Sequence, residues 1–257
     1  MVRPLAALAA CLWPGVSEAA CRLALILALD VSGSVDEGEY QFQMTGVASA
    51  LTDPEVQQLL FAMPDAPVAL SIFEWSSASY QHVIQDWVLI ETEADLWAVH
   101  DRLKGWVRSP APEATGLGAA LQFAVEEFKR GPVCWEQTLD ISADGKNNDW
   151  PIPERLREAG QLGTMNVNTL VVAPDFLVKY DKDRVGIDEM ATYFRERIIH
   201  GPGAFVEIAL GYSDYGEAMR RKLIRELATV PLGYGPGRIP YRQAGRIPPA
   251  IAPGTPR

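Results

Sequence analysis

Apolar runs of strand length alternate along the chain with longer stretches whose apolar positions recur every three to four residues. Six runs read as strands: 22–30 (RLALILALD), 67–74 (PVALSIFE), 82–88 (HVIQDWV), 136–143 (EQTLDISA), 166–173 (NVNTLVVA) and 204–210 (AFVEIAL). The second and third lie close enough together to form a hairpin. Between the runs, Tyr40, Met44, Val47, Ala48 and Leu51 share one helix face, opened by an acidic capping box of Asp36 and Glu39. Leu117, Leu121, Val125 and Phe128 mark a second face. Met219, Leu223 and Leu227 mark a third, opened by Asp214 with Glu217 three residues on. Further helices are expected near 92–105, 152–163 and 188–199. The alternation is that of βαβ units, so the predicted fold class is α/β: a three-layer, doubly wound sandwich with a mainly parallel six-stranded sheet and helices on both faces.

The two ends depart from this pattern. Residues 1–19 place Arg3 before an apolar run from Leu5 to Trp13, then Pro14-Gly15 and the small-x-small sequence Ser17-Glu18-Ala19. This is the layout of a secretory signal removed after Ala19, and the run is too short to span a bilayer, so no transmembrane segment is expected in the mature chain. Residues 231–257 are rich in Pro and Gly, repeat Gly-Arg-Ile-Pro at 237–240 and 245–248, and hold four Arg and no acid. They read as an extended or disordered tail after a single body at 20–230. A length of 257 residues suits one such domain.

Charge and cysteine content narrow the function. A net charge of −10 speaks against a nucleic-acid partner, which would need a basic footprint, and removing the tail's four Arg charges leaves the remainder near −14. Loss of the leader takes Cys11 and leaves Cys21 and Cys134, an even number that suits a disulfide in an exported periplasmic or secreted protein.

The candidate chemistry sits where apolar runs end. Asp30, Ser32 and Ser34 close the first run as Asp-x-Ser-x-Ser, one carboxylate and two hydroxyls, all hard oxygen donors. Thr115 in "ATGLGAAL" opens a helix, with Gly116 and Gly118 permitting close backbone approach. Asp144 ends the run "LDISA" before a glycine turn. In an open α/β sheet, ligands bind outside the carboxyl ends of the strands where strand order reverses, so these oxygens can converge in one crevice. Three readings fit them: a divalent-cation site for binding, a metal-assisted hydrolase or phosphatase, and plain helix caps. Against the enzyme, no second aspartate follows Asp30 by two, and His82, His100 and His200 show no triad spacing with a serine. Glu74, Trp75 and Ser76 end another run and could shape the rim.

With Asp30-x-Ser32-x-Ser34, then Thr115 in T-x-x-G-x-A-L, then Asp144-Gly145, the chain resembles the von Willebrand factor type A (vWA) domains and their metal-ion-dependent adhesion site, over about residues 21–230. The phrases "LALDVSGSVDEGEY", "FEWS", "DGKNN", "GPGAF" and "RRKLIREL" look closest to a group of exported bacterial proteins that carry only the designation domain of unknown function. The resemblance implies strand order 3-2-1-4-5-6 with one antiparallel edge strand. It also implies that Asp30, Ser32, Ser34, Thr115 and Asp144 hold a divalent cation, Mg²⁺ or else Mn²⁺ or Ca²⁺. An acidic group of a protein or peptide ligand would complete the cation's shell. Relatives carry Gly where this chain has Ala114 and Ala143. In the implied strand order, Cys21 and Cys134 both fall at the lower end of adjacent parallel strands, and a disulfide between them is expected.

Overall fold

The computed structural model describes residues 21–180 and 184–229, without the side chains of 175–177 and 229. The leader at 1–19 and the tail at 231–257 lie outside the described residues.

Six strands form one sheet: β1 (Cys21–Asp30), β2 (Val68–Trp75), β3 (Gln81–Ile90), β4 (Cys134–Ala143), β5 (Asn166–Val172) and β6 (Val206–Ala209). Their order is β3-β2-β1-β4-β5-β6, with every pairing parallel except β2–β3. The close pair at 67–88 is thus a hairpin, because its five-residue link leaves no room for a crossover helix. β1 is central and buried along its whole length, which explains its unbroken apolar run.

Side chains of β1 alternate between two cores. Leu23, Leu25, Leu27 and Leu29 face α1 (Glu37–Leu51), α3 (Glu93–Gly105) and α8 (Tyr215–Thr229). Ala24, Ile26 and Ala28 face α4 (Leu117–Arg130), α5 (Pro153–Glu158) and α7 (Val185–Arg197). The predicted faces of the three main helices are the ones buried. Tyr40, Met44, Val47, Ala48 and Leu51 of α1 pack with Met219, Leu223 and Leu227 of α8 in the first core. Leu117, Leu121 and Phe128 of α4 lie in the second, with Val125 packed against it. The capping box of α1 is present as read, with Asp36 Oδ1 accepting from Glu39 N–H and Glu39 Oε2 from Asp36 N–H, each at 2.8 Å.

Several expectations change. Two short helices, α2 (Pro54–Leu60) and α6 (Asp175–Tyr180), add to the set. α5 stops at Glu158 rather than 163, because Gly160 and Gly163 take left-handed φ values of 68° and 58°. Asp214 stands directly before α8, as read. It sits in a 3₁₀ turn, Tyr212–Asp214, where its carboxylate accepts from Leu210 N–H at 3.0 Å.

The lower end of the sheet is joined covalently. Cys21 and Cys134 pair across β1 and β4 and form a disulfide, with their Cα atoms 4.5 Å apart. Next to it the buried Arg22 guanidinium donates to the carbonyls of Leu59, Leu60 and Ala66, closing the last turn of α2.

Candidate metal centre

The chain leaves β1 for β2 and β3 on one side of the sheet and builds β4 to β6 on the other, so the upper ends of β1 and β4 bound the crevice where strand order reverses. Asp30 is the last residue of β1 and Asp144 follows the last residue of β4. Thr115 arrives from the loop before α4.

All five oxygen-bearing residues meet there. Thr115 Oγ1 donates to Ser32 Oγ at 3.3 Å, and Ser32 and Ser34 share a hydrogen bond between their hydroxyls at 3.3 Å. Ser34 Oγ donates to Asp144 Oδ1 at 2.6 Å. Asp30 Oδ1 accepts from Ser32 N–H at 2.8 Å, which curls the loop over the strand end. Asp30 Oδ2 is buried without a hydrogen-bond partner. Asp30, Ser32, Thr115 and Asp144 are buried, while Gly33 and Ser34 are exposed, so the cluster is closed below and opens upward.

The electrostatics are those of two crowded carboxylates. Burial, then the Asp144 charge, push Asp30 up to about 8. Burial likewise raises Asp144, against the hydrogen bonds from Ser34 and Tyr212. No cationic side chain is among the groups acting on either. Among the described residues, no three His, Cys, Asp or Glu side chains gather as a metal cluster, so a cation here would rest on two carboxylates and three hydroxyls. That set consists wholly of hard oxygens, and its orphaned Asp30 Oδ2 has the character of a vacant ligand atom, so the residues fit a divalent cation of the Mg²⁺ type.

The capping reading fits less well. The N-cap of α1 is Asp36, not Ser34, and the N-cap of α4 is Gly116, while the Thr115 hydroxyl donates to Ser32. The expected rim residues also lie deeper than the rim. Glu74 and Trp75 are both 0% exposed. Glu74 accepts from Tyr40 and Tyr80 hydroxyls at 3.1 and 2.9 Å and from Trp106 Nε1–H at 3.2 Å, an internal post behind the site. The histidines are engaged elsewhere: His82 stacks on Tyr80, His100 meets Asp101, and His200 meets the Gly163 carbonyl.

Residues that the sequence reading passed over hold the cluster in place. Gln43 of α1, fully buried, donates to the Asp30 carbonyl at 3.0 Å. Asn148 accepts from Thr115 N–H at 2.7 Å through its side chain and donates its own N–H to the Thr115 carbonyl at 3.0 Å. Asp149 accepts from Ala78 N–H at 2.8 Å, tying the same loop to the end of β2. The quoted "DGKNN" held the signal for Asn148, since a polar run after a strand end supplies caps to neighbouring loops. The glycines do what was expected: a Cβ on Gly116 would lie 2.8 Å from the backbone of Ser77, and one on Gly118 only 1.9 Å from the Pro151 carbonyl.

A doubly wound sheet in this strand order, with hydroxyls and carboxylates at its switch point, has the vWA-like α/β fold. Solved structures of that fold superpose on most of the chain. Proximal thread matrix protein 1 from the mussel byssus, with a zinc-occupied MIDAS (metal-ion-dependent adhesion site) motif, matches at TM-score 0.57 and 14% identity, over 82% of this chain and 49% of that one. The pilus adhesin SpaC from Lactobacillus rhamnosus GG, in an open conformation, matches at 0.55 and 13%, over 82% and 30%. A von Willebrand factor type A protein from Catenulispora acidiphila matches at 0.54 and 15%, over 81% and 43%. This chain therefore spans less than half the length of these structures. No curated protein matches it in sequence. Residues 20–231 match the family described as "Protein of unknown function (DUF1194)", and the chain belongs to that family.

Proposed function

We propose that this chain is a metal-dependent binding module of the bacterial cell envelope. Asp30, Ser32, Ser34, Thr115 and Asp144 hold a divalent cation, Mg²⁺ or a similar hard ion, and an acidic group of a protein or peptide ligand completes its shell. The observation that carries this reading is the orphaned, buried Asp30 Oδ2 beside a second carboxylate, ringed by three hydroxyls at the switch point of the sheet. When bound, the cation supplies the positive charge the two carboxylates lack and an acceptor position for a ligand carboxylate. The chain's residues do the rest. Ser34 donates its proton to Asp144, so its oxygen accepts from Ser32 Oγ and keeps one further lone pair, and it is the exposed member through which a ligand reaches the cluster. Asn148 and Gln43 keep Thr115 and Asp30 from relaxing away.

Binding is favoured over turnover. The chain offers no histidine beside the cluster, and its hydroxyls are tied to one another and to Asp144. A leader at 1–19 that routes the protein out of the cytoplasm accords with the disulfide.

Calorimetric titration of Mg²⁺ and Mn²⁺ into the wild type, Asp30→Ala and Asp144→Ala tests the centre. Saturable heat in the wild type, lost in both variants, is the expected result. No heat in the wild type, or the same heat in all three, overturns the reading.

A further inference from the structure

Tyr212 belongs to none of the motifs that point to the centre, yet it touches it. Its hydroxyl donates to Asp144 Oδ2 at 3.2 Å, while Ser34 Oγ donates to Oδ1 at 2.6 Å. Both oxygens of this carboxylate are therefore fixed by hydroxyl donors from different parts of the fold, Ser34 from the loop after β1 and Tyr212 from the 3₁₀ turn after β6.

The phenol has little freedom. Tyr212 is 3% exposed, and its ring lies parallel to that of Tyr215, with centroids 6.2 Å apart and planes 8° from one another. Tyr215 in turn shares a 2.8 Å hydrogen bond with Ser142 Oγ, on β4 two residues before Asp144. Tyr215 also closes on α1, where a Cβ on Gly46 would stand 2.9 Å from its ring. The start of α8 thus presents one phenol to the strand and the other to the carboxylate beyond its end. A carboxylate at a strand end turns readily about its last side-chain bond, and two donors at fixed positions hold it in one orientation.

We propose that Tyr212 is a positioning residue of the cation centre, anchoring Asp144 by its second oxygen so that the first stays turned to Ser34. This rests on the cation reading of the site. Asp144 is thereby set by the β6–α8 corner as well as by its own strand, and the hydroxyl of Tyr212 contributes to cation affinity without being a ligand.

The test compares the full chain as wild type, Tyr212→Phe and Tyr215→Phe, titrated with Mg²⁺ by calorimetry and with Mn²⁺ by electron paramagnetic resonance. Tyr212→Phe keeps the ring stack and is expected to weaken Mg²⁺ binding by about 10- to 100-fold and to alter the bound Mn²⁺ spectrum, as loss of an outer-shell partner does. Tyr215→Phe keeps the ring stack and removes a buried hydroxyl that bonds Ser142 rather than Asp144, and is expected to weaken binding far less than Tyr212→Phe and to leave the bound Mn²⁺ spectrum unchanged. Replacing Tyr212 by 4-aminophenylalanine restores a donor on the same ring and is expected to recover most of the affinity. Wild-type affinity in Tyr212→Phe, or equal losses in both phenylalanine variants, overturns the assignment while leaving the centre standing. Absence of heat in the wild type overturns both. If circular dichroism shows Tyr212→Phe unfolded, the 4-aminophenylalanine protein decides: near-wild-type affinity supports the role, and a loss of 10-fold or more overturns it.

Discussion

Asp30, Ser32, Ser34, Thr115 and Asp144 were legible as candidates because each lies where an apolar run stops or just before a helical period starts. Their supports were not. Tyr212 falls in the link between a strand and a helix and Gln43 is an ordinary member of a helical segment, and only the closing of the β6–α8 corner and of α1 over the strand ends brings them to Asp144 and Asp30. Glu74 shows the reverse case: a strand-end acid that reads as shaping the rim is buried under Tyr40, Tyr80 and Trp106, since its strand is covered at that level. Gly118 was read correctly for its smallness, though not for its neighbour, the Pro151 carbonyl. In Gly118→Ala the added methyl meets backbone, so residues 147–151 or the start of α4 must shift. The expected cost is about 1–3 kcal/mol in urea unfolding, together with weaker Mg²⁺ binding, because the same loop carries Asn148 against Thr115. Unchanged stability would mean that the loop yields freely.

Between β4 and α8 lies a second cluster of buried carboxylates, and here a lysine of the chain supplies the cation. Asp140 meets Lys222 Nζ at 2.6 Å, and Lys222 also pairs with Glu226 at 2.7 Å, all three buried. Asn168 of β5 donates to Glu226 at 2.8 Å, and the Tyr215 hydroxyl lies nearby on Ser142. One ammonium faces two carboxylates, and burial followed by the Glu226 charge outweighs Lys222 and pushes Asp140 up to about 8. The folded state therefore holds a proton that the unfolded chain releases near the ordinary aspartate range. Its contribution to stability is full below that range and declines as pH rises toward about 8. Urea unfolding midpoints are expected to fall between pH 5 and pH 8, and Asp140→Asn, which leaves the Lys222–Glu226 pair neutral, to flatten that slope. A slope unchanged in Asp140→Asn would assign it to other groups. At this scale the sequence was most legible for long elements: α1, α4 and α8 show their buried faces in the apolar period. The short α2 and α6 lack enough turns to register a period, and α5 was overextended because its terminating glycines sit among helix-compatible neighbours.

Across the whole molecule, the sheet is tied at its base and open at its top. The Cys21–Cys134 bond closes a loop with a sequence separation of 113, which restricts the unfolded chain strongly, so its reduction is expected to cost about 2–5 kcal/mol, read as a drop in urea midpoint. Thiol titration of denatured, periplasmically produced protein should find neither cysteine free; two free thiols would remove the covalent base. No described helix is long and apolar enough to cross a membrane. By itself the sequence determined the α/β class, the hairpin edge and the strand-end oxygens, because all of these follow from local period and from where apolar runs stop. Its likeness to vWA domains supplied the strand order and the cysteine pairing, which local pattern alone does not carry. Only the tertiary structure decided which oxygens face one another, that Glu74 and Trp75 are buried behind the crevice, and that Tyr212 and Asn148 brace it. Those contacts join residues 33 to 110 positions apart, and their geometry is set by how helices pack over strand ends rather than by any local preference of the chain.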